Sequence, residues 1–471
     1  MNKELRGTIG VMTLNQCLHW FMVGLVLPVL SLFVLEKGMD YLRLGVLVAI
    51  YSGVTVAAEL PTGGLADSLG RKKVYLLSLC CNALGALLLL AASAFPLLAL
   101  GFAVLGFGRA LSSGSMEAHF VDEILALDPK ADLQRIMARL GVAVPLALGF
   151  ASLAGGWLPA LGSRLQGLGL LSNKYAANYL AYLLAAFLQF VVTAVLVREA
   201  RPVAPAASTA TASTAPAAFA KPAAVPSATP PSAKPPRATL SRVLKEALGF
   251  ALRDRTLLLI LSGGLVWGFS VSGLEQLWQP RVQELRGGVG STAIFGWLGF
   301  GYFAAAAVGS WASTPLCRLF GGRHGLALGA AKLLMGGFFL LLAGAGRVPA
   351  FAALYLLTFA ANGLASAPES AVLHSSIPSE RRSTLLSLSS LFVQAGGILG
   401  SLLMGALAQA YSIGAAWRIA ALVLAASSWL YFALPRRAGA VDSEGAASED
   451  CASGAVGAAA GAQAAAEGEG A

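Results

Sequence analysis

The most constraining feature of this chain is a series of twelve apolar stretches, each near the roughly 20 residues an α-helix needs to cross a bilayer core. The windows are Thr8–Leu35, Leu42–Thr62, Val74–Ala94, Pro96–Phe120, Ile136–Leu158, Tyr175–Val197, Thr256–Trp278, Ala293–Leu319, Leu326–Ala345, Pro349–His374, Thr384–Tyr411 and Ala415–Leu434. Six precede a break and six follow it. Only 12% of the 471 residues are charged and 57% are hydrophobic. A soluble domain carries about 25% charge, so the surplus apolar surface must face lipid. The 54 glycines fit close backbone contact between such helices.

The break runs from Glu199 to about Leu240 and is built almost entirely of Ala, Pro, Ser and Thr. Such a segment cannot bury a core, so a disordered linker is expected over 199–240. A six-helix bundle over 1–198 and another over 241–435 follow, with a disordered Ala/Gly/Glu-rich tail over 436–471.

The net charge of +10 does not point to nucleic acid, because the basic residues sit in short loops between apolar spans. There they set topology. With the N-terminus inside, the cytoplasmic segments hold 23 Lys and Arg against 8 outside, and still 14 against 8 without the linker. Both termini are therefore expected in the cytoplasm, in a cell inner (plasma) membrane. The first apolar run follows Lys3 and Arg6 and is too long for a signal peptide, so it reads as a spanning helix. Cys17, Cys80, Cys81, Cys317 and Cys451 have no zinc spacing, and adjacent Cys80 and Cys81 cannot form an ordinary disulfide. No metal, cofactor or catalytic constellation is expected, and the chain does not read as an enzyme.

Two eight-residue segments, Leu111–Ala118 and Leu364–Ala371, match faintly in the fourth helix of each half. A repeat of this kind places a transporter's substrate site at the interface between repeats.

After the second span the sequence reads Gly63-Gly-Leu-Ala-Asp67-Ser-Leu-Gly70-Arg71-Lys72-Lys73. This resembles the signature loop between helices 2 and 3 of the major facilitator superfamily, departing at Ser68, where a basic residue is usual. Glu59-Leu-Pro-Thr-Gly63, the run Arg109 to Asp122, and Ile377 to Ser387 extend the likeness to a bacterial branch whose better-known relatives are drug efflux proteins. Gly141, Pro145, Gly149, Gly155 and Gly156 in the fifth helix do not form that branch's usual antiporter motif. The resemblance implies an all-α membrane protein with twelve transmembrane helices in two pseudo-symmetric six-helix bundles. It also implies alternating access and a small-molecule substrate, with proton-coupled efflux of hydrophobic or cationic compounds by a monomer as the leading form. Uptake of a metabolite or nutrient stays open as an alternative. It further implies a conformational latch from Gly63, Asp67, Gly70, Arg71, Lys72 and Asp122. Arg71 pairs with Asp122 in that reading, and Asp67 faces the start of helix 11. The outward-open state is the one it holds.

Ionisable residues inside a span are costly and are functional candidates by default. Arg109 in the fourth helix either takes part in proton transfer or is a structural arginine. Glu59 and Glu117 either carry a proton or neutralise Arg109. Glu369 in the tenth helix is a fourth coupling candidate. The resemblance makes helices 1, 4, 7 and 10 cavity-facing, so His19, Trp20, Trp267, Phe269, Glu275 and Asn362 are candidate cavity residues. Lys332 in the ninth helix is expected to snorkel to the cytoplasmic interface.

Overall fold

The computed structural model of the chain describes residues 3–113, 115–198, 249, 253–288, 290–376 and 382–434. The expected linker and tail lie outside the described residues. Among those described there are twelve helices long and apolar enough to span a membrane. We label them α1 (Lys3–Gly24, a 3-10 turn Leu27–Val29, then Leu30–Glu36), α2 (Tyr41–Leu69), α3 (Arg71–Ala91), α4 (Phe95–Ser112 and Ser115–Leu127), α5 (Leu133–Gly167) and α6 (Ala176–Leu196). The second six are α7 (Arg255–Leu285), α8 (Ala293–Leu319), α9 (His324–Ala343), α10 (Val348–Leu364 and Ser366–Ser376), α11 (Arg382–Ala410) and α12 (Ile413–Phe432).

Every expected span corresponds to one helix, but several helices run further. Helix α5 continues to Gly167 through Pro159, and α7 continues to Leu285 through Pro280. Neighbouring helices satisfy backbone groups that an internal proline frees, so hydropathy windows stop short of such ends. The signature segment is also not the loop expected. Helix α2 persists to Leu69, and α3 starts at Arg71. The whole turn is Gly70, at φ +96°, a conformation that side chains with a Cβ rarely adopt.

The two sets of six pack alike. Helix α1 packs on α5 and α6, as α7 packs on α11 and α12. Helix α4 packs between α2 and α3, as α10 packs between α8 and α9. The matched segments Leu111–Ala118 and Leu364–Ala371 each contain a helix break, at Ser113 and at Ala365. Local serine bonds compete with the helical ladder at both. Ser112 Oγ donates to the Arg109 carbonyl at 2.8 Å, and Ser366 Oγ to the Gly363 carbonyl at 2.7 Å. In α10, Pro368 also lacks an N–H.

The two lobes, α1–α6 and α7–α12, meet chiefly through α2 against α11 and α5 against α8. A set of hydrogen bonds joins them at one end, where α1 finishes and α2 begins. Ser31 Oγ donates to the Gln276 carbonyl at 2.7 Å, and Gln279 Nε2 to the Leu27 carbonyl at 3.0 Å. The Tyr41 hydroxyl donates to Glu284 Oε1 at 3.1 Å, and its backbone N–H to Gln409 Oε1 at 3.2 Å. Thr292 Oγ1 donates to the Gly156 carbonyl at 2.9 Å. Glycines allow the approach: a Cβ on Gly156 would lie 2.5 Å from the Gly296 nitrogen, and one on Gly405 would lie 2.5 Å from the Tyr41 carbonyl oxygen. Gly64, toward the other end of α2, and Gly397, midway along α11, have no such neighbour within 4 Å. The lobes are thus closed together at one end.

Candidate transport site

Each lobe sets a cation over the tryptophan of its first helix. Arg109 Cζ lies 5.4 Å from the Trp20 ring centre, and Lys332 Nζ lies 5.4 Å from that of Trp267. Such placement draws on the negative face of the indole. Arg109 lies near the middle of the α4 span, in the last turn before its break. Trp20 is 3% exposed and His19 6%, so both sit inside the packing of their lobe in this conformation. His19 Nδ1 shares a 3.0 Å hydrogen bond with the Tyr75 hydroxyl. Gln189 Nε2 donates to the same hydroxyl at 2.9 Å and to the Asn15 carbonyl at 3.0 Å. Asn15 Nδ2 donates to Thr193 Oγ1 at 2.9 Å. This polar seam ties α1, α3 and α6 together.

In the second lobe Trp267 Nε1 donates to Asn362 Oδ1 at 2.8 Å, so two residues expected near the cavity are brought together. Glu369 joins them through Lys332, whose Nζ lies 2.9 Å from Glu369 Oε2. The Lys332 side chain is 1% exposed, which overturns the expectation that it snorkels. It lies eight residues into α9 from His324, about 12 Å of helix rise. A counter-ion and an indole face within reach hold the ammonium where it is. Glu275 is 6% exposed and accepts from the Tyr302 hydroxyl at 3.2 Å, inside an aromatic cluster with Phe359 and Tyr355. It is buried in this conformation. Phe269 is half-buried, and its backbone packs closely against Gly400 of α11.

Glu59 is half-buried in α2, and Glu117 is exposed in the first turn of the second piece of α4. Arg71 Nη1 donates to Asp122 Oδ2 at 2.7 Å. Lys72 Nζ donates to the Ala194 carbonyl at the end of α6 at 2.9 Å, as a cation at a helix C-terminus should. Gly63 and Asp67 lie within the α2 helix, and the Asp67 side chain is outside the described residues. Tyr75, Gln189 and Tyr302 were not singled out from the sequence. A polar side chain inside an apolar window was their only signal.

The model of the Major Facilitator Superfamily matches residues 12–288 and 283–459. No curated protein matches the sequence. Among solved structures, a mutant of the nucleoside transporter NupG superposes with a TM-score of 0.67 at 12% identity, covering 91% of this chain and 98% of its own. A bacterial homolog of the human lysosomal transporter Spinster, inward-facing and unoccupied, superposes with a TM-score of 0.65 at 15% identity. That match covers 100% of this chain and 97% of the other. Likeness at this identity speaks to fold alone. Twelve spans, a repeated lobe architecture and a family match over most of its length agree: this chain belongs to the major facilitator superfamily.

Proposed function

We propose that the protein moves a small organic solute across the inner membrane by alternating access, driven by coupled proton movement. Efflux of hydrophobic compounds is the form its signature residues favour. The observation that carries this reading is the one-ended contact between the lobes. Hydrogen bonds at Ser31, Tyr41, Gln279 and Thr292 close one end, whereas Gly64, toward the other, lacks a close neighbour. Lobes that exchange the closed end carry a solute across. With both termini in the cytoplasm, as the basic loops favour, the end joined here is the outer one.

Glu369 is the first choice for the proton-carrying carboxylate. It is an in-span acid with a buried cationic partner, so its charge state bears on the packing of α9 and α10. Arg109, Glu59 and Glu117 are the corresponding candidates in the first lobe. Arg71 and Asp122 hold the Gly70 turn against α4, and with Asp67 they form a latch that engages when the cytoplasmic ends meet. The segments 199–240 and 436–471 act as linker and tail around bundles over 1–198 and 241–435.

Reconstitution into vesicles containing a pH-sensitive dye tests the reading. Solutes from a hydrophobic compound library are added, and proton movement is followed for the wild type, Glu369→Gln and Glu117→Gln. Solute-dependent proton movement that Glu369→Gln abolishes is expected. Solute transport that proceeds with no proton movement sinks the coupling. Uptake of a neutral metabolite is the second reading, favoured because Arg109 and Lys332 already cover the two tryptophan faces. Scoring the direction of solute movement in the same vesicles separates the two.

A further inference from the structure

Lys332 approaches Trp267 while its ammonium sits 2.9 Å from the Glu369 carboxylate. The indole cannot swing away freely, because its N–H is fixed on Asn362 Oδ1 at 2.8 Å. A carboxylate at hydrogen-bonding distance and a fixed indole face are what an organic ammonium needs for recognition. We propose that Glu369 and Trp267, with Asn362 positioning the ring, form an organic-cation site whose occupant in this conformation is the chain's own Lys332.

The exposures give the arrangement a direction. Lys332 reaches the carboxylate from the buried side, at 1% exposure, whereas Glu369 keeps 34% of its side chain accessible. A solute arriving at Glu369 therefore meets a carboxylate already engaged from behind. An ammonium from solution gains the site only by displacing Lys332. The displaced lysine, 1% exposed, becomes an unpaired charge in a packed interior, which is strongly unfavourable. A neutral solute meets no such competitor. Lys332 thus sets the charge preference of the second lobe: it holds a site chemically suited to cations closed against them. This rests on the reading that solutes enter between the lobes, and it narrows the solute class from hydrophobic or cationic to hydrophobic and uncharged.

Direct binding to the purified protein in detergent tests the inference without relying on transport or proton coupling. The probes are benzyltrimethylammonium and neopentylbenzene, its uncharged carbon analogue of the same shape, with affinities measured by calorimetry. Lys332→Met is expected to tighten benzyltrimethylammonium binding at least tenfold over wild type while shifting neopentylbenzene less than twofold. Adding Glu369→Gln to Lys332→Met is expected to remove the gain. A gain below tenfold, an equal gain for the neutral probe, or a gain that survives Glu369→Gln overturns the proposal. Lys332→Gln keeps a polar head at the position and is read by the same thresholds if the methionine variant aggregates. Because solute-driven proton movement is scored separately in vesicles, a protein lacking proton coupling still gives a clear answer here.

Discussion

Gly156 sits where the α5–α8 contact leaves no room for a side chain. A methyl group built there would lie 2.5 Å from the Gly296 nitrogen and 2.6 Å from its Cα, about 0.9 Å inside ordinary van der Waals contact. Both neighbours are backbone atoms, so a rotamer change cannot relieve the overlap. The lobes can, by separating at this end. Overpacking of this size costs about 1–3 kcal/mol. If it acts only in the conformation described here, Gly156→Ala shifts the balance away from that conformation by roughly 5- to 150-fold. Val34 in α1 is fully buried near the joined end and reports on the shift. With the native cysteines replaced and Val34→Cys introduced, a hydrophilic maleimide reacts at a rate proportional to the opened population. Gly156→Ala is expected to accelerate labelling within that range in detergent-solubilised protein. A rate within twofold of the parent, in a variant that remains monodisperse, refutes the reasoning that this glycine contact holds the end closed.

Three further outcomes follow from the same geometry. Tyr41→Phe removes the hydroxyl bond to Glu284 across the lobes; at an exposed site it should weaken the joined end by about 0.5 kcal/mol, seen as roughly twofold faster Val34→Cys labelling. Arg71→Ala breaks a pair whose side chains are 29% and 63% exposed, so thermal stability should fall by less than about 1 kcal/mol, while solute transport in vesicles falls much further if the pair serves the latch. Glu369→Gln leaves the buried Lys332 ammonium without its counter-ion and should cost about 3 kcal/mol in unfolding measurements, whereas Lys332→Met with Glu369→Gln should recover most of that loss.

The helices were legible because a membrane span must be apolar over its whole length, and hydropathy reads that directly. Ends were less legible where a proline lay inside the helix, as at Pro159 and Pro280, since neighbouring helices repair what proline breaks locally. The repeat was visible as one faint eight-residue match, and the structure gives that match a cause in the paired breaks at Ser113 and Ala365. Gly155 and Gly156 looked like fragments of an antiporter motif. Gly155 in fact abuts the Leu25 carbonyl of α1, and Gly156 meets Gly296 of the other lobe. Lys332 was misread because distance to the interface is visible in a sequence, whereas a counter-ion 37 residues further along the chain is not. Trp267 and Asn362 were picked out as separate cavity residues. Their mutual hydrogen bond depends on how α7 and α10 pack, which no local pattern encodes.

Rocking of one lobe against the other is the central claim, and distances across both ends test it most directly. With the five cysteines replaced, spin labels go at Ser68 and His324 for the far end, and at Leu168 and Arg347 for the joined end. All four positions are exposed, and each pair has one residue in each lobe. Electron–electron resonance is recorded in vesicles with and without a solute that drives proton movement. Alternating access requires reciprocity: as one distribution shifts to shorter distances, the other shifts to longer ones. Distances at both ends that stay fixed under solute, in protein that still transports it, contradict the rocking of the lobes.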